Sequence, residues 1–141
     1  MSDERHIRNL IEAWAVAVHA RNIDGVLQNH ASHLLMFDVV GALESRGLDS
    51  YRRSWLDEFF PWHGGTGRFH LKDLQVCSGD RVAFATALLA CAGTEVGRAV
   101  GFTLRLTIGL EKIDGAWTVV HEHHSEPTPF DRTRIGEPHL E

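Results

Sequence analysis

The chain holds a single tyrosine, two cysteines, two methionines and four prolines among its 141 residues. Two cysteines cannot build the disulfide framework on which small secreted domains depend. Cys77 and Cys91 fall on what read as two strands of one hairpin, turning at Ser78-Gly79-Asp80. Ladder geometry holds them far apart, and both read as small buried thiols in a reducing cytoplasm. No run approaches the ~18 apolar residues that a membrane helix needs. The acidic start Met1-Ser2-Asp3-Glu4 has no apolar signal core after it, so a cytoplasmic location and no membrane partner are expected. Basic residues are scarce: 14 Lys and Arg stand against 19 Asp and Glu, a net charge of -5 with histidines neutral. Nucleic acid and anionic membranes both want a basic patch, so neither is expected as a partner. The glycines of His63-Gly64-Gly65-Thr66-Gly67 match no phosphate-binding fingerprint and carry no lysine, so they read as a loop. No nucleophile-elbow string and no HExxH spacing occur.

What is present is an ordinary globular balance, 43% hydrophobic and 23% charged, with ten histidines. It suits one domain over 1–130, followed by a polar surface tail over 131–141. Ile7, Leu10, Ile11, Trp14 and Val18 follow helical spacing and predict a helix from about Glu4 to Ala20. Asn22 or Asp24 then caps a short helix with Ile23, Val26, Leu27 and His30 on one face. Leu34 to Val40 reads as a strand closed by Gly41. A third helix follows Gly47, capped by Asp49 or Ser50, with Leu48, Tyr51, Trp55 and Phe59 as its stripe; Pro61 is expected to end it.

The period then changes to two. Strands are expected over Phe69–Cys77 with a bulge near Lys72-Asp73, Arg81–Ala92, Arg98–Ile113 and Trp117–Ser125, with Asp114-Gly115 as a hairpin turn. Helices preceding an antiparallel meander mean an α+β fold. A long curved sheet over three helices leaves a conical cavity suited to a small molecule.

Two strings carry a family resemblance. Gly115-Ala116-Trp117-Thr118-Val119-Val120-His121-Glu122-His123-His124-Ser125 resembles the last strand of SnoaL-like proteins and of the calcium/calmodulin-dependent kinase II association domain. Arg46-Gly47-Leu48-Asp49-Ser50-Tyr51-Arg52-Arg53-Ser54-Trp55, running to Phe59-Phe60, is similar to the third helix of SnoaL-like proteins. The resemblance covers about Ile7 to Pro127. It implies the nuclear-transport-factor-2-like superfamily, SnoaL-like and ketosteroid isomerase-like, with a cystatin-like, cone-shaped α+β barrel: three N-terminal helices on a curved antiparallel sheet. Residues 1–130 would then be one SnoaL-like domain. Asp38, followed by Val39-Val40-Gly41, sits where the isomerase carries its base. Trp14 and a position near Ile108 sit where that enzyme has its two oxyanion donors, so both donors differ here.

The candidate residues follow. A carboxylate at the end of Leu34-Leu35-Met36-Phe37 should meet apolar walls, which suits Asp38 to proton transfer near neutral pH; the plainer role is accepting backbone N–H groups in its turn. Alternation sends His121 and His123 to one face of the last strand, and Val120, Glu122 and His124 to the other. Trp117 and Val119 make the odd face look apolar, whereas the relatives place the position of His124 in the cavity. Glu122 and His124 are therefore expected inside, with His124 catalytic beside Asp38. His121 and His123 could chelate an ion with Asp38 or His70 as third ligand, but histidines satisfying buried hydrogen bonds are the simpler reading, and no metal or other cofactor is expected. Trp14, Trp55 and Phe59 read as cavity wall or core, and Ile108 joins the lining. Thr86 shares parity with Val82, Phe84 and Leu88 and is expected to face the helices. Thr103, Arg105, Thr107, His121 and His123 would form an outer face for a homodimer.

Two functions fit. One is cofactor-free isomerase, cyclase or dehydratase chemistry on a small apolar carbonyl compound, with Asp38 as base and His124 or Trp14 at the oxyanion. The other is a ligand-binding or dimerisation module without turnover.

Overall fold

A computed structural model describes residues 2–130; the expected tail over 131–141 lies outside them. Helix α1 spans Asp3–His19, and the Ser2 hydroxyl at its start accepts from the Arg5 N–H at 3.2 Å. Ile7, Leu10, Ile11, Trp14 and Val18 are all buried along one stripe, each large apolar side chain worth roughly 1.5–3 kcal/mol. Helix α2 is shorter, Ile23–Leu27, capped by the Asn22 side chain on the Gly25 N–H. His30 does not belong to its stripe. Asn29 turns the chain at a φ of 60°, a conformation asparagine tolerates, and strand β1 runs from His30 to Phe37 rather than from Leu34 to Val40.

A two-residue strand β2, Ser45–Arg46, pairs with β1. Helix α3 covers Leu48–Ser54 and starts at Gly47 with no side-chain cap. Asp49 instead pairs with Arg53, and the Ser50 hydroxyl meets that of Ser45. Pro61 does not end the helical path. The chain passes through a π-helical turn, Trp55–Phe59, into helix α4, Phe60–His63. The Phe60 N–H reaches back to the Trp55 carbonyl, so a new segment starts there. Pro61 lands in its first turn, where a missing N–H costs nothing.

Strands β3 (Arg68–Ser78), β4 (Val82–Glu95), β5 (Arg98–Ile113) and β6 (Ala116–Ser125) form the meander. The sheet order is β2-β1-β6-β5-β4-β3. The β1–β6 pair is parallel, so the sheet is mixed, curved and unclosed, within an α+β architecture. The β3 irregularity lies between Lys72 and Gln75, with Asp73 at a φ of 56°. Asp114 and Gly115 hold φ values of 51° and 82°, the two left-handed residues that a two-residue hairpin turn requires.

Two strands decide what faces the helices. In β4 the buried residues are Ala83, Ala85, Ala87, Leu89, Cys91 and Gly93. Thr86 is therefore exposed on the outer face with Val82 and Phe84, contrary to expectation. The strand is apolar on both sides, and the close approach of the helix layer selects the small side chains. In β6, Trp117 and Val119 are buried, and so are Glu122 and His124. Both halves face inward because Gly109 opposes His121 while Leu110 opposes Val119, leaving Val120 as the extra residue of a β-bulge. Trp117 and Val119 thus do not pack on the outside. Cys77 is exposed and Cys91 buried; both thiols are free.

Candidate functional site

Glu122 is fully buried at the centre of a polar cluster. Its Oε2 accepts from the Tyr51 hydroxyl at 2.7 Å and from His30 Nε2 at 2.6 Å; its Oε1 accepts from His124 Nε2 at 2.9 Å. The Trp14 indole N–H donates to the Tyr51 oxygen at 2.9 Å, and His30 Nδ1 donates to the Gln28 carbonyl at 2.8 Å. Burial pushes the Glu122 carboxyl up, but the hydrogen bonds from His124 and His30 and the charge on those rings outweigh it and hold the carboxyl at about 2. Burial pushes His124 down, and the Glu122 hydrogen bond, the Glu122 charge and the Asp38 charge overcome this to raise it. Tyr51 is raised far above its ordinary value by burial and by the Glu122 charge. Its hydroxyl therefore stays protonated and donates.

His124 is the link between this cluster and a cavity of about 460 Å³, a volume within the roughly 300–1,000 Å³ of small-molecule sites. Asp38, Trp55, Phe59 and His124 line it. Asp38 follows β1 directly and also borders a neighbouring pocket of about 270 Å³. One of its carboxylate oxygens, Oδ1, accepts from the Val39 N–H at 2.7 Å; the other has no hydrogen-bond partner among the described residues. Trp55 and Phe59 are the first and last residues of the π-helical turn, an irregularity common at functional sites. Cys91 also lies on the wall. Burial, then the Asp38 charge, pushes its thiol up to about 12, so it is a wall group and no nucleophile.

The other expected residues stand elsewhere. Trp14 and Glu122 lie behind the wall, in the cluster that holds His124, and the Trp14 N–H is spent on Tyr51 rather than aimed at the cavity. Ile108 is buried in the core, Val120 is the bulge residue and Thr86 is outside; none lines the cavity.

Sequence reasoning missed Tyr51 and His30 as partners of Glu122. Helical spacing puts Tyr51 on an apolar stripe and says nothing more, although the hydroxyl of a lone buried tyrosine calls for a partner. It also missed Trp62, Phe69 and Phe102 on the wall. Among the described residues no group of three or more His, Cys, Asp or Glu side chains is arranged to hold a metal ion.

A family model described as a SnoaL-like domain matches residues 7–129. The chain belongs to the SnoaL-like family. An NTF2-like protein of unknown function from Pseudomonas putida KT2440 is similar to this SnoaL-like chain at 31% identity, with 92% of this chain and 89% of that one covered and a TM-score of 0.81. A candidate ketosteroid isomerase from Shewanella frigidimarina NCIMB 400 shares 21% identity, with 83% and 92% covered and a TM-score of 0.69. The CaMKII hub of S. rosetta shares 16%, with 89% and 97% covered and a TM-score of 0.74. At those lower identities the likeness is one of fold. No curated protein matches the chain. No helix among the described residues is long and apolar enough to cross a membrane.

Proposed function

We propose that this SnoaL-like protein performs cofactor-free proton transfer on a small carbonyl compound, as an isomerase, cyclase or dehydratase does. The observation that carries the reading is one cavity wall shared by Asp38 and by His124, whose far nitrogen is held by buried Glu122. The unpartnered Asp38 oxygen takes a proton from the carbon beside the carbonyl. His124 keeps Nε2–H on Glu122 and, as imidazolium, donates from Nδ1 to the developing oxyanion. The proton on Asp38 then returns to another carbon. In a dehydratase, the β-hydroxyl instead leaves as water with a proton from His124.

A second reading, ligand binding without turnover, is favoured by one observation: the Trp14 N–H is occupied by Tyr51, so His124 is left as the oxyanion donor. The two are separated by following hydrogen–deuterium exchange beside the carbonyl of cyclic ketones in D₂O by NMR. The protein should accelerate exchange, and Asp38→Asn should lower that acceleration by about 10²–10⁴-fold while changing stability by no more than about 1 kcal/mol. Ketones that bind without accelerated exchange would establish the binding module instead.

The proposal extends to a cytoplasmic homodimer formed through the outer sheet face. Thr103, Arg105, Thr107 and His123 are exposed there, and His121 and His123 pack their rings on Phe37. Sedimentation at micromolar concentration should give twice the 15.8 kDa of the chain.

A further inference from the structure

The polar cluster behind the cavity holds more than His124 needs. One carboxylate oxygen would anchor the ring, yet both oxygens of Glu122 are engaged. Oε1 accepts from His124 Nε2 at 2.9 Å, while Oε2 accepts from the Tyr51 hydroxyl at 2.7 Å and from His30 Nε2 at 2.6 Å. Tyr51 and Glu122 are fully buried, and the His30 side chain is 1% exposed. A buried ion pair adds little stability over apolar side chains of the same shape, so stability alone does not account for the arrangement.

The two donors on Oε2 are themselves held in place. The Trp14 N–H donates to the Tyr51 oxygen at 2.9 Å, which leaves the Tyr51 proton to point at Glu122. The Tyr51 ring stacks on that of His30, with centroids 5.0 Å apart and planes 25° from parallel. His30 Nδ1 faces the Gln28 carbonyl at 2.8 Å and Nε2 faces the ionised Glu122; both partners can only accept. Both nitrogens therefore donate, and His30 carries a positive charge. Of this cluster it is His124 that lines the cavity, and its Nδ1 has no hydrogen-bond partner among the described residues.

We propose that His30 and Tyr51 are positioning residues for His124: by holding Oε2 they turn Oε1 toward His124 and take up part of the carboxylate's charge, and so set how firmly His124 keeps the proton it presents to the cavity. The inference rests on His124 being the acid of the reaction proposed above, and adds what tunes that acid. Were Glu122 to serve His124 alone, its full charge would hold the imidazolium proton too firmly for an acid working near neutral pH. A positive charge and a second donor on the same carboxylate weaken that hold. The other ionisable groups around His124 lie on the cavity side: Asp38 after β1, Glu58 in the π-helical turn, Cys91 and Glu95 on β4, and Glu126 after β6. Substitutions at positions 30 and 51 leave all of these in place.

The test is NMR titration of His124 in the full natural chain, in His30→Gln and in Tyr51→Phe, beside the pH profile of hydrogen–deuterium exchange into cyclohexanone. Gln keeps a donor near the place of Nε2 and removes the charge; Phe keeps the ring and removes the hydroxyl. His30→Gln should raise the His124 titration by about one unit, and Tyr51→Phe by less. The alkaline limb of the exchange profile should move up with it, while the plateau falls, because a proton held more firmly makes a weaker acid. A purely structural role would lower the plateau and leave the limb where it is. A His124 titration unchanged or lowered in both variants overturns the proposal, and a rise in one alone overturns it for the other residue. If neither variant folds, the natural chain decides: the low-field proton signals of the Tyr51 hydroxyl and His30 Nε2 should shift as His124 titrates, and signals that stay put overturn the proposal. Absence of catalysed exchange in the natural chain overturns the proposed reaction instead, and the His124 titrations still decide the tuning.

Discussion

His63 and His124 are buried to nearly the same degree, 1% and 4% exposed, yet their surroundings drive them in opposite directions. His63, at the end of α4, accepts the Gly65 N–H at Nδ1 and meets His19 Nδ1 through Nε2 at 3.3 Å. Burial lowers its pKa, and the charges of His19 and Arg21 lower it further. His124 suffers the same desolvation, but Glu122 reverses the outcome. Burial beside other cationic groups thus makes a neutral, structural histidine; burial with a carboxylate makes a charged one. The second kind is the one that faces a cavity.

Removing Glu122 is the severest way to break the contrast. Glu122→Gln leaves His30 and His124 buried without their counter-charge, and denaturant unfolding at neutral pH should show a loss of about 3–5 kcal/mol. In the same variant, NMR titration should find His124 lowered, as His63 is. A His124 that stays raised without Glu122 would place the cause elsewhere.

Acid comes next in size. The folded Glu122 carboxyl lies at about 2, below its ordinary 4.5. Its contribution is complete above that ordinary value and is lost as pH falls from 4.5 toward 2, on the order of 3 kcal/mol in all. The raised His124 works with the other sign: its contribution is complete below 6.5 and is lost as pH rises through its folded value. His63, being lowered, contributes above 6.5 and loses that contribution as pH falls below it. Urea unfolding across pH should show the decline below 4.5 in the natural chain and none of it in Glu122→Gln.

The smallest effect sharpens the contrast from the other side. His19 is exposed, so His19→Glu is tolerated while placing a carboxylate beside His63. Its titration, followed by NMR, should move from below 6.5 upward by about one unit, ~1.4 kcal/mol. A His63 that stays low would show that desolvation, not the missing partner, sets its state.

The contrast also explains what could be read in advance. Strand β5 begins and ends at the expected Arg98 and Ile113, because long alternation and an Asp-Gly turn are strong local signals. Asp38 and His124 stand out mainly through a resemblance, and both line one cavity. Thr86 faces outward against the expectation from parity: β4 is apolar on both faces, and parity alone does not say which face the helices cover. Pro61 reads as a stop in the sequence because a π-helical turn leaves no mark in residue type. The partners of Glu122 come from β1, α3 and β6, an association that exists only once the sheet has formed.

Val120 makes β6 two strands sharing one backbone. Before it, side chains answer to the core through Trp117 and Val119; after it, they answer to the buried polar cluster through Glu122 and to the cavity through His124. The extra residue uncouples the two, so residues 121–125 can be exchanged for those of a relative, and the wall given a different chemistry, while the core half stays as it is. Deleting Val120 alone would make Val119 and His121 neighbours opposite Leu110 and Gly109, and Glu122 and His124 would still face inward, so the chemistry of the wall survives loss of the spacer but not a change in the residues beyond it.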